Sequence, residues 1–165
     1  MNNLGKITSI EEVHNFQCGN STPLNGKNGA QLGIVGMMHG MFGFGGFDGY
    51  KVCTDDHEIL ILISNEQNCC EHWGYFDTND DAGKFIGANL NEVRLTDTAL
   101  NMAALDANGL IWNGEIDLDE GSIQFVDFVT DAGVFQLAVY NAHNGYYGHS
   151  VIVAIDNNII FDDTL

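Results

Sequence analysis

Two thiols, a carboxylate, an imidazole and an indole occupy consecutive positions at Cys69-Cys70-Glu71-His72-Trp73. Thiolate, imidazole and carboxylate are the donors that a borderline metal such as zinc takes. A hydrophobic core has no need of such a mixture. The alternative for the same residues is inert, with the thiols acting as small buried hydrophobes and His72 as a solvated loop residue.

A second imidazole-rich stretch follows much later, at Tyr140-Asn141-Ala142-His143-Asn144-Gly145-Tyr146-Tyr147-Gly148-His149. Its Asn144-Gly145 dipeptide is a hairpin signal. Closed as a two-residue turn, the hairpin pairs His143 with Tyr146 and leaves His149 on the opposite face from His143. A wider connection through residues 144–148, which Gly148 favours as a bulge, sets His143 and His149 across from each other. Their Cβ atoms then lie about 5 Å apart, close enough for one ion. Spacing leaves both geometries open. Together Cys69, Cys70, His143 and His149 form the candidate metal set, two sulfurs and two nitrogens, which suits a structural Zn2+. Neighbouring strand residues point to opposite faces, so both thiols reach one ion only where the chain bends. Otherwise one cysteine binds, and Glu71, His72 or a water completes the shell. Cys53 and His57, on either side of the Asp55-Asp56 turn, form a second candidate pair.

Other chemistries find less in this chain. Gly43-Phe44-Gly45-Gly46-Phe47-Asp48 puts an aspartate where a dinucleotide fingerprint needs its third glycine, and no Gly-Lys-Ser/Thr follows. No His-Glu-x-x-His and no nucleophile-elbow serine occurs. A zinc hydrolase with Glu71 or His72 as general base is therefore the enzymatic alternative, and the expectation is a protein without catalytic residues.

These residues must be positioned by strands. Ile59-Leu60-Ile61-Leu62-Ile63 is too short for a helix and apolar at every position, which predicts a strand buried on both faces. Tyr50 to Thr54 alternates, and the turn at Asp55-Asp56-His57 brings the Ile59–Ile63 strand back antiparallel beside it. Lys6 to Ile10 reads as an edge strand, although Ser9-Ile10-Glu11-Glu12 also fits the capping box of a short helix. Asp77 to Gly87 carries helix start and stop signals and predicts the single short helix. Residues 89–100 read as a strand, with further strands near Leu110–Trp112 and Glu115–Leu118 in an ambiguous region. Ser122–Val129 and Val134–Tyr140 flank an Asp131-Ala132-Gly133 turn, Tyr146–Ile155 is another strand, and Ile159–Phe161 a last short one. Residues 19–49, rich in glycine, methionine and phenylalanine, read as a long insertion loop packed over the sheet, the alternative being an exposed protein-binding patch. The expected fold is mainly β (α+β), an antiparallel sheet or sandwich with one short helix and that loop, in a single domain spanning residues 1–165.

The chain is 45% apolar, enough for a real core, and holds twenty glycines against one proline. Five lysines and arginines face twenty-three acids, for a formal charge of -18. Phosphate backbones are held by lysine and arginine, so direct binding of nucleic acid is not expected. A protein with a basic surface is the partner such a charge suits. The candidate contact residues are Asp55, Asp56, Glu58, Asp80, Asp81, Glu115, Asp117, Asp119 and Glu120. Neither a signal-like start nor a membrane-length apolar run is present, so a cytoplasmic protein with reduced cysteines is expected.

The Cys69-Cys70-Glu71-His72-Trp73-Gly74-Tyr75 stretch, followed by the one from His143 to His149, resembles a small domain of unknown activity from Gram-positive bacteria and their phages. The likeness covers Tyr50 to the C-terminus and excludes the 19–49 insertion. It implies a shared metal site and no defined enzymatic activity. A strongly acidic phage member also resembles the anti-CRISPR proteins that block Cas9 with negative surfaces. By that resemblance the expected function is a phage-encoded, zinc-binding inhibitor of Cas9 acting in the bacterial host cell. The alternative is a zinc-stapled binding module for another partner.

Overall fold

The computed structural model describes residues 3–17, 46–66, 71–79, 81–118, 120–143, 145, 147–156 and 158–165. The Ile59–Ile63 run sits at its centre. These side chains are β-branched at alternate positions and are all buried, as the middle of a strand covered on both faces requires. That strand is β3 (Glu58–Ser64). It lies between β2 (Phe47–Thr54) and β10 (Ser150–Ile155), and β1 (Ile7–Phe16) and β11 (Asn158–Thr164) form the outer edges. The five-stranded sheet therefore has the order β1-β2-β3-β10-β11. A second, four-stranded sheet has the order β4 (His72–Asp77), β9 (Gly133–Ala142), β8 (Ser122–Thr130), β5 (Leu90–Thr96). Every named pairing is antiparallel. The mainly-β expectation holds.

The sheets pack face to face. Ile59, Ile61 and Ile63 of β3, with Val151 and Val153 of β10, meet Val126 and Phe128 of β8 and Phe135, Leu137 and Val139 of β9. Phe128 and Phe135 stack with ring centroids 4.6 Å apart. Each sheet also carries apolar side chains on its other face. Leu60, Leu62, Ile152 and Ala154 join Phe47 in one cluster, and Phe76, Phe125, Ala138 and Tyr140 join Leu105 and Leu110 in another. The two sheets are stitched where β1 and β5 begin, through Leu4 N–H to Leu90 O (2.8 Å) and Ile7 N–H to Ala88 O (2.9 Å).

Three local expectations need correction. Asp77 ends β4 rather than opening a helix. Its carboxylate accepts the N–H groups of Asn79 (2.8 Å) and Ala82 (2.5 Å), and only a short 3₁₀ turn, Ala82–Phe85, follows. The segment buries only Ala82 within that turn, too little apolar surface to hold a longer helix. The α-helix instead is α1 (Met102–Ala107), inside the region that reads ambiguously. Asn101 caps it by accepting Ala103 N–H (3.1 Å), and Leu105 plugs it onto the four-stranded sheet. Finally, β2 begins at Phe47, so the last part of the supposed 19–49 loop is strand; residues 18–45 lie outside the described residues. The predicted strands near residues 110–118 are a small hairpin, β6 (Ile111–Trp112) and β7 (Glu115–Ile116).

Candidate functional site

Strand alternation splits the Cys69–Trp73 cluster. β4 pairs with β9 from His72↔Ala142 to Asp77↔Leu137. His72 faces outward, its Nε2 3.1 Å from the Tyr140 hydroxyl and its ring edge-on to the Tyr140 ring. Trp73 faces inward and packs against the inter-sheet core. Glu71, two residues before Trp73, shares its inward parity.

What Glu71 meets there is His149. Its Oε1 lies 3.3 Å from His149 Nε2, and the two side chains are 0% and 2% exposed. His149 comes from the other sheet, just before β10. Its backbone exchanges hydrogen bonds with Leu165, donating to Leu165 O (2.9 Å) and accepting Leu165 N–H (3.0 Å). Its Nδ1 lies 2.6 Å from the Ser64 carbonyl, which can only accept. Nδ1 therefore carries the proton, and Nε2 turns to Glu71. Trp73 stacks on the imidazole with centroids 5.2 Å apart. Asn141, opposite Trp73 in β9, closes the group by donating from Nδ2 to Tyr147 O (2.7 Å) and to Leu165 O (2.8 Å).

Among the described residues no hairpin joins His143 to His149. β9 already has β4 and β8 on its two edges, and β10 has β3 and β11, so the connection crosses from one sheet to the other. His143 lies one residue past β9. Its carbonyl accepts Glu120 N–H (3.2 Å), and its Nδ1 accepts Gly145 N–H (2.8 Å). Among the described residues, strand pairing does not set His149 opposite His143, and Tyr146 lies outside those residues. Cys69 and Cys70 lie outside the described residues, among which no group of three or more His, Cys, Asp or Glu side chains gathers. The second candidate pair separates too. Cys53 is a partly buried free thiol opposite Glu58, while His57 Nδ1 lies 2.5 Å from Asp156 Oδ2, which clamps the β2–β3 turn to the β10–β11 turn.

The expected acidic contacts scatter over several surfaces. Asp55 and Asp56 are exposed at the β2–β3 turn, where Asp55 accepts Lys6 N–H (2.6 Å), and Glu58 is partly exposed. Asp81 is exposed near Lys84 (3.9 Å). Glu115, Asp117 and Glu120 are exposed on or just after the β6–β7 hairpin; Asp80 and Asp119 lie outside the described residues. The sequence reading overlooked the acids on the sheet edges, Glu11 and Glu12 on β1 and Asp162 and Asp163 on β11, all exposed. Charge on an edge strand is a common guard against edge-to-edge pairing. Near the β1 edge the Tyr75 phenol is pushed up to about 12, first by burial and then by the charges of Glu12 and Asp48.

Trp112 was also missed as a surface feature. It is 69% exposed, directly opposite Glu115, at the tip of a hairpin whose Asn113 and Gly114 have φ of 51° and 86°. That Asn-Gly pair is the usual type I′ signal, the feature of the sequence by which the hairpin could have been found. Among the described residues no helix is long and apolar enough to cross a membrane.

Residues 4–153 match the model of a family described as Domain of unknown function (DUF7448). No curated protein and no solved structure gives a significant match.

Proposed function

The chain belongs to the DUF7448 family, and from that premise we propose that it is an acidic binding module that engages a basic nucleic-acid-binding protein. The specific partner in this reading is the Cas9 nuclease of a type II CRISPR system, which a phage-encoded inhibitor would deny its DNA or guide RNA, with zinc as a structural support. The observation that carries the proposal is the charge of -18 together with its display. Exposed acids line both edges of the five-stranded sheet, the β2–β3 turn and the β6–β7 hairpin. Among the described residues, lysine and arginine form ion pairs with Glu11, Asp81 and Asp127, leaving a large negative field. Such a field mimics a phosphate backbone toward a cationic channel.

The β6–β7 hairpin is the best anchor within that field. Trp112 offers an exposed indole face to an arginine or lysine, Glu115 stands opposite it in the hairpin, and Asp117 and Glu120 are exposed further along the chain. Titrating the protein against Cas9, with and without guide RNA, at about 50 mM and about 300 mM salt tests the reading. Binding is expected at the lower salt and is expected to weaken sharply at the higher. Trp112→Ala is expected to weaken it by about tenfold or more with an unchanged thermal midpoint, since the side chain is exposed. Absence of binding to either form at low salt would remove Cas9 as the partner.

A further inference from the structure

We propose that Glu71 and His149 are two ligands of a buried divalent-metal site of the zinc class, built where the open ends of the two sheets meet. The assignment extends the zinc component of the proposed function and uses none of the partner argument. It moves the site from a His143–His149 hairpin to a contact between sheets.

Three observations converge. The first is the spacing of 3.3 Å between His149 Nε2 and Glu71 Oε1. A charge-assisted N–H to carboxylate bond is shorter, about 2.7–2.9 Å. Two donors on one tetrahedral zinc, each about 2.0–2.1 Å from the ion, stand about 3.3–3.4 Å apart. The second is the orientation of the imidazole. Its Nδ1–H is committed to the Ser64 carbonyl at 2.6 Å, and Trp73 stacks on the ring. A backbone carbonyl on the far nitrogen is the usual support of a ligating histidine, since it fixes the tautomer and aims the other nitrogen at the metal.

The third is an orphaned oxygen. Asn141 is 0% exposed, and its Oδ1 has no hydrogen-bond partner among the described residues. Its amide cannot be turned round, because Nδ2 donates to two carbonyls, Tyr147 O and Leu165 O. The second of those carbonyls also accepts His149 N–H. A desolvated amide oxygen without a donor is costly, and a nearby cation would offset that cost. Carboxylate, imidazole and amide oxygen suit zinc or another borderline divalent ion.

The test uses the full chain, purified without an affinity tag. Elemental analysis is expected to find about one zinc-class ion per chain, and cobalt substituted for it to give the visible bands of a tetrahedral centre. A strong chelator is expected to lower the thermal midpoint by roughly 10 °C. Glu71→Gln and His149→Gln are expected to lose the metal, whereas His143→Ala keeps it. A chain that binds neither zinc nor cobalt and is indifferent to chelator would overturn the site, leaving an imidazole–carboxylate pair. Retention of metal by both glutamine variants would overturn the ligand assignment. The wild-type measurements decide whether or not the variants fold. Cas9 binding, measured separately, distinguishes failure of this site from failure of the partner proposal.

Discussion

Replacing Gln136 with leucine is expected to destabilise the fold by about 3–5 kcal/mol, read as a lowered midpoint of urea unfolding with an unchanged slope. Gln136 is fully buried on β9, and its amide holds both β8 and the connection between β5 and α1. Nε2 donates to Asp127 Oδ1 on β8 (2.7 Å) and to Thr98 O beyond β5 (2.9 Å), while Oε1 accepts Leu100 N–H just before α1 (3.0 Å). Leucine has similar volume but no polar atoms, so several polar groups lose their partner at once. Each buried one costs about 1–3 kcal/mol, more where charge is involved. Asp127 keeps Arg94 at 2.8 Å, which limits the loss. The same guanidinium, hydrogen-bonded to the Asp127 carboxylate, has its pKa raised. Because Leu100 leads into α1 and the β6–β7 hairpin, Gln136→Leu is also expected to loosen Trp112. Hydrogen exchange that rises in residues 100–118 before the rest of the sheet would register this; uniform exchange would contradict it.

Gly49→Ala is expected to be at least as damaging, by about 3–5 kcal/mol, and to reduce soluble yield. Gly49 has φ of +149°, a conformation that L side chains rarely adopt. A Cβ built there would meet the Ile61 carbonyl oxygen at 2.1 Å, which is backbone in the central strand and cannot rotate aside. Gly49 pairs with Val13 on one side and Leu62 on the other, so relief would have to open one of those ladders. Gly87→Ala serves as the control. It also carries a positive φ, of 94°, but a Cβ there meets nothing within 4 Å, so only the conformational part of the penalty remains. Equal midpoints for the two variants would show that strain alone, and not the clash, sets the cost.

Much of the β architecture was legible because strand signals are local. Five consecutive apolar residues at Ile59–Ile63 allow little but a strand covered on both sides, and every one of them is buried. The Asp131-Ala132-Gly133 turn announced the β8–β9 hairpin, with Thr130 paired to Gly133. The helix was misplaced for an equally physical reason. Asp77 and its neighbours carry good capping chemistry, but capping stabilises only a segment that also buries a face, and α1 buries Leu105. At the candidate site the sequence pointed to residues near one another in space, but it mispaired them. His149 meets Glu71, one of the alternative ligands read from the sequence, whereas His143 is held by a local turn.

The order of the residues, taken alone, determined which segments become strands, the large negative charge and the crowding of metal donors around residue 71, since these follow from alternation and composition. Tertiary structure decided that β9 and β10, neighbours along the chain, lie in different sheets. It thereby decided that His149 meets Glu71 across the interior rather than His143 across a turn. Periodicity specifies which face a side chain takes within its own strand, but it carries no information about the sheet in which that strand finds its partners. That choice is made by long-range pairing, in which β9 fills its edges with β4 and β8, and β10 with β3 and β11.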